Sequence, residues 1–204
     1  MDNKEYLKQI SGQVRPAKSS KMNFLKSPII KIAGIAIIAM VIIIIFSSII
    51  SAGKPSLENQ NISLKLHIDN TLEIISEFQP SVKSSDLRSS SSSLYAVLSN
   101  TSRELGTYLE TTYNYNTNKP PETLANDADL SRDALYSDLF EAKINGILDR
   151  IYARKMAYEI SLFTSEESAI YNAAKDDSLK SLLTTSYNSL DNLYSKFDDF
   201  SETK

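Results

Sequence analysis

Between Lys31 and Lys54 lie 22 residues without a charge, and from Ile32 to Ile50 they are almost wholly Ile, Ala, Val, Met, Phe and Gly. Coiled at about 1.5 Å per residue, the run is roughly 33 Å long, against a bilayer hydrocarbon core of about 30 Å. A core helix of a water-exposed domain keeps one polar face, and this run has none, with serines only near its end at Ser47, Ser48 and Ser51. The sequence therefore predicts a transmembrane helix at 32–53. It divides the chain into a basic tail, residues 1–31, and a domain, residues 54–204.

The flanks set the direction. Arg15, Lys18, Lys21, Lys26 and Lys31 precede the span, while only Lys54 and Lys65 follow closely. Positive residues stay inside, so the tail is expected in the cytoplasm and the domain outside the cell membrane, as in a single-pass signal-anchor protein. The rival is a cleaved signal peptide ending at Ser51-Ala52-Gly53; its apolar region is ordinarily about 7 to 15 residues, and this one is longer. The same five basic residues are candidates for contact with anionic lipid headgroups. Gly34 has small neighbours, but the span contains no GxxxG pair.

Charge is distributed unevenly about this division. Residues 1–53 carry seven Lys/Arg against Asp2 and Glu5, a net +5, so residues 54–204 hold −8 of a chain total of −3. A nucleic-acid binder carries its basic stripe on its folded part, and here that part is acidic. The absence of cysteine excludes disulfides and thiolate sites, and the one histidine, His67, leaves little for acid–base work near neutral pH. An enzyme is not expected.

Beyond Pro55 the pattern is all-α. A first helix starts near Ser56, uses Leu57, Leu64, Ile68, Leu72, Ile75 and Phe78, and stops before Pro80. A second starts near Ser85 and shows a heptad seam in Leu94, Leu98, Thr101, Leu105, Tyr108 and Thr112. The polar stretch 114–121 is a loop. A third helix opens at Pro121 or Glu122 and runs far, keeping Phe140, Ile144, Ile147, Ile151, Tyr158 and Leu162 on one apolar face, with Gly146 marking a kink or close approach. A break is expected near Thr164, with Ser165 capping a new helix whose first turn holds Glu166 and Glu167. The last helix carries a second seam, Leu179, Leu183, Ser186, Leu190, Leu193, Phe197 and Phe200. An antiparallel bundle of about four helices satisfies these stripes, and homo-oligomerisation through an elongated coiled coil satisfies them too.

Site signals are sparse. His67 has only Ser63 and Thr71 as notable helical neighbours, and a zinc site needs three or four converging ligands. Asp127, Asp129 and Asp133 open like a calcium loop but lack its glycine and closing glutamate. Asn61-Ile62-Ser63 and Asn100-Thr101-Ser102 match the glycosylation pattern. No phosphate loop, nucleophile elbow or His-Glu-x-x-His helix is present. Neither a cofactor nor a metal is implied. Tyr113 and Tyr115, in or beside the polar loop, form the best candidate for partner contact as an exposed aromatic pair.

The function these features suggest is a membrane-anchored, non-enzymatic surface protein, scaffold or adhesin, whose helical bundle contacts another protein. The alternative is an extracytoplasmic sensory or ligand-binding bundle signalling through a partner.

Overall fold

The computed structural model describes residues 56–117 and 119–203, and of residues 201–203 the backbone alone. The chain divides into two units, 1–53 and 54–204, and the described residues all belong to the second. The apolar run and Arg15, Lys18, Lys21, Lys26 and Lys31 lie outside the described residues. Among the described residues, no helix is long and apolar enough to cross a membrane.

The chain between Leu57 and Thr203 is helical with no strand among the described residues: α1 (Leu57–Phe78), α2 (Ser85–Tyr113), α3 (Glu122–Ile144), α4 (Leu148–Ala173) and α5 (Asp177–Thr203). The starts follow capping chemistry. Ser56 accepts from the amide of Asn59 at 3.1 Å, and Asp176 Oδ1 accepts from that of Leu179 at 2.8 Å. After α1 a single 3₁₀ turn through Pro80 reverses the chain. There the Asp149 carboxylate, from α4, accepts from the amides of Lys83 and Ser84 at 2.9 and 2.8 Å and so ties the bend to a distant part of the sequence.

The serine run 89–93 lies inside α2 despite its low propensity. Ser91 is buried with its hydroxyl 2.5 Å from that of Tyr152, while Ser92 and Ser93 donate back to the carbonyls of Arg88 and Ser89.

Helix α1 meets α2, α2 meets α5, α5 meets α4 and α4 meets α1, so these four close a bundle. Neighbours are antiparallel: Gln79 reaches Ser92 while Lys65 reaches Ser102, and Thr101 of α2 meets Ser186 of α5 at 2.9 Å. The seams read from α2 and α5 thus close within one chain. Helix α3 lies outside this ring, along α1 and in parallel with it, as Arg132 beside Glu73 and Tyr136 against Phe78 show.

Two boundaries differ from the sequence reading, and five helices stand among the described residues where about four were expected. The long third helix is two. Gly146, at φ +72°, ends α3 in a left-handed turn, with its amide bonded to Lys143 O and that of Ile147 to Ala142 O. Only glycine adopts this φ without strain, which is why the residue marks a chain reversal instead of a kink. Conversely, α4 runs unbroken from Leu148 to Ala173 and Ser165 caps nothing. Its buried Met156, Ile160, Phe163, Glu167 and Ile170, spaced 4, 3, 4, 3, form a third heptad seam that carries the helix through Thr164.

Because α4 completes the ring, α3 is left with three buried residues, Leu135, Leu139 and Ala142. Phe140 and Ile144, expected on a core-facing stripe, are exposed on its outer side at 46% and 69%, and Ile147 of the same stripe is exposed in the turn that follows.

Candidate functional site

Three acids of α4, two of which, Glu166 and Glu167, the sequence places in the first turn of a new helix, turn towards neighbouring helices. Glu159 and Glu166 are seven residues apart, two turns along one face, with Phe163 between them. That face meets His67 of α1. Nε2 of His67 donates to Glu159 Oε2 at 2.7 Å, and Nδ1 faces both Glu166 oxygens at 3.3 and 3.4 Å. The imidazole packs on Phe163 with ring centroids 4.4 Å apart.

Burial pulls the imidazole towards neutrality, but the hydrogen bonds and charges of Glu159 and Glu166 outweigh it and raise its pKa from 6.5 to about 10. At neutral pH both ring nitrogens are donors. The imidazolium then has no lone pair to offer a proton or a metal, and the arrangement is an ion triad, not a base. Among the described residues no cluster of three or more His, Asp and Glu is placed to hold a metal ion.

Glu167, one residue on, turns the other way. It is 1% exposed, at a seam position where an apolar residue is expected, and neither carboxylate oxygen has a hydrogen-bond partner among the described residues. Ser186 of α5 is the nearest polar group and favours the charged form somewhat; its hydroxyl accepts from Thr101 at 2.9 Å and so keeps its own proton to turn towards Glu167. Desolvation dominates, helped by the charge of Glu166, and pushes the carboxyl from 4.5 up to about 8. Beside it opens a cavity of about 240 Å³ between α4 and α5, flanked by Tyr171 and Tyr187.

Tyr113 and Tyr115 do not form the exposed pair expected of them. Both are half-buried and packed against the core. Asn114 ends α2 at φ 52° and turns the loop back. Tyr113 then lies edge-on to Tyr108, centroids 6.1 Å apart, and burial together with the charge of Asp69 raises the Tyr115 hydroxyl pKa. Asp69 also takes the Lys65 ammonium at 2.6 Å and bonds the Ser102 hydroxyl, a cluster satisfied from within. Gly106 packs beneath it, where a Cβ would approach Lys65 Cε to 3.1 Å and press the lysine side chain slightly aside.

Two further sequence signals find structural partners. Arg132 sits between Asp129 and Asp133, at 3.7 and 3.1 Å, and gives two of the three acids that open like a calcium loop an ion-pair partner. Asn61 is buried with its amide donating to Leu57 O at 2.7 Å, so its glycosylation pattern is closed to modification in the folded protein.

The triad was not found from the sequence because a helix break at Thr164 puts Glu159 and Glu166 on different elements. The spacing 156, 160, 163, 167, 170 was the signal for continuity, masked by an acid in its fourth place. No family model, no curated protein and no solved structure matches the chain.

Proposed function

We propose that this chain is a membrane-anchored, non-enzymatic helical protein that presents its bundle outside the cell membrane for contact with another protein. The anchoring part of the reading rests on the uncharged run between Lys31 and Lys54 and the basic residues before it. The observation that carries the contact part is the apolar stripe of α3. Tyr136, Phe140 and Ile144 follow one another at four-residue intervals, Tyr136 and Phe140 stack with centroids 6.1 Å apart, and Ile147 continues the patch past the turn.

A helix that buries three residues while exposing four large apolar ones is a docking element more than a core element. Beside it, Lys83, Lys143 and Arg150 line a cleft with Ile147, a basic corner on a domain whose net charge is negative. The partner that fits is an amphipathic helix with an apolar strip, acidic only at the end that meets this corner, because α3 itself carries six acids against Arg132 and Lys143. This moves the contact face from Tyr113 and Tyr115, which are half-buried, to α3.

The test uses the full chain in its membrane with photo-reactive p-benzoylphenylalanine at position 140. A discrete protein adduct, lost when Ile144→Asp is added, supports the reading. Adducts to lipid alone, or a pattern no different from that at exposed position 104 on α2, would end it.

A further inference from the structure

We propose that the cleft between α4 and α5 is a binding site for a small organic ammonium ion, its charge seated on the Glu167 carboxylate and its carbon skeleton against Tyr171 and Tyr187. The cavity measures about 240 Å³ and is lined by Ser168, Asn172 and Leu183 besides these three. At about 30 Å³ per water-sized group, it holds roughly eight heavy atoms. Glu167 and Leu183 are buried and close its inner end, whereas Tyr171 and Tyr187 stand about two-fifths exposed at its mouth.

A carboxylate with no counter-charge, and only the Ser186 hydroxyl near it, is costly inside a bundle, where leucine would fill the seam. Neither nearby cation of the domain relieves it. His67 is held by Glu159 and Glu166, and Lys180 lies over the Tyr171 ring, its nitrogen 5.3 Å from the centroid. That contact places one ammonium on the Tyr171 ring and leaves Tyr187, across the mouth, for another. The Glu167 carboxylate at the inner end and, nearer the surface, the half-buried Ser168 and exposed Asn172 of the lining carry acceptor atoms for the N–H groups of a primary amine.

The charged and titratable groups facing Glu167 are Glu166 and Tyr171 on its own helix, the His67 imidazolium across from Glu166 on α1, and Lys180 and Tyr187 on α5. Helix α2 reaches it through the Thr101 hydroxyl on Ser186. Since burial holds the Glu167 carboxyl near pH 8, ammonium binding at pH 7 expels its proton, and affinity rises by about tenfold from pH 7 to 9 while the amine stays charged.

The experiment is isothermal titration calorimetry of the full chain in nanodiscs with phenethylammonium, and with phenethyl alcohol as the uncharged counterpart. Saturable binding of the amine with a Kd of about 1 mM or tighter is expected, with release of a proton at pH 7 and no binding of the alcohol. Glu167→Gln keeps the shape, removes the charge and should weaken binding at least about tenfold, while Tyr187→Ala at the mouth should weaken it severalfold. No saturable binding to the natural chain, equal binding of the alcohol, or unchanged affinity in both variants overturns the proposal.

Discussion

Glu166 and Glu167 are neighbours in sequence and opposites in setting. Glu166 shares the His67 imidazolium with Glu159 across the α1–α4 contact, whereas Glu167 enters the α4–α5 seam with no hydrogen-bond partner among the described residues. A helix turns about 100° per residue, so adjacent side chains cannot face the same neighbour. The same side chain therefore keeps its charge, compensated, on one side of α4 and is pushed towards its neutral form on the other. A buried acid strengthens a fold only where the fold also supplies its counter-charge.

Removing that counter-charge is the most severe way to break the contrast. His67→Ala leaves Glu159 buried without a partner and is expected to destabilise the domain by about 3–5 kcal/mol at pH 7 in urea unfolding. A loss below about 1 kcal/mol would mean that the triad contributes no more than an exposed pair.

Glu167→Gln should move stability the other way, by about 1–3 kcal/mol at pH 8 and by almost nothing at pH 4, where both states of the natural carboxyl are protonated. The folded carboxyl, at about 8, holds its proton well above the ordinary 4.5, so the native state binds more protons and the natural chain loses stability as pH climbs between those values. The His67 contribution has the same sign: fully present below 6.5, it is lost as pH rises through about 10. Thermal melts from pH 4 to 10 should thus show a steady decline. The variant should flatten its lower part and leave the upper part intact, and an unchanged profile would equate the two glutamates.

The smallest effect sharpens the contrast within the triad. Glu166 stands farther from the ring, at 3.3 Å, and is more exposed than Glu159. Glu166→Gln should therefore cost about 1 kcal/mol or less, with a smaller fall in the His67 pKa, followed by NMR, than Glu159→Gln produces. Equal falls would show that the two carboxylates hold the imidazolium alike.

Legibility in the sequence followed the seams. Leu94, Leu98, Thr101 and Leu105, and Leu179 to Phe197, predicted helices that pack, because an uninterrupted 4, 3 spacing admits one period. Even the polar pair Thr101 and Ser186, a member of each seam, is buried hydroxyl to hydroxyl. Reading failed at α4, where Ser165-Glu166-Glu167 imitates a cap with an acidic first turn. Local capping chemistry and a continuing seam competed there, and tertiary burial of Phe163 and Ile170 prevailed. The exposed face of α3 is hidden from the sequence for a related reason. Apolar spacing shows that a face is sticky, not whether the core still has room for it, and α4 had already closed the ring.

Gly146 has a consequence for how the domain opens. By ending α3 it makes residues 114–147 a 34-residue excursion between two helices that are locked elsewhere, α2 to α5 and α4 to α1. In polymer terms α3 is a loop whose ends are already pinned, and loop-closure entropy grows only with the logarithm of length, about 0.6 kcal/mol per doubling. Lifting it away sacrifices the burial of Leu135, Leu139 and Ala142 and uncovers Phe78, while the four-helix ring stays closed. The expected consequence is a cooperative unit of lower free energy riding on one of higher, with amide exchange beginning in α3 before the ring unfolds.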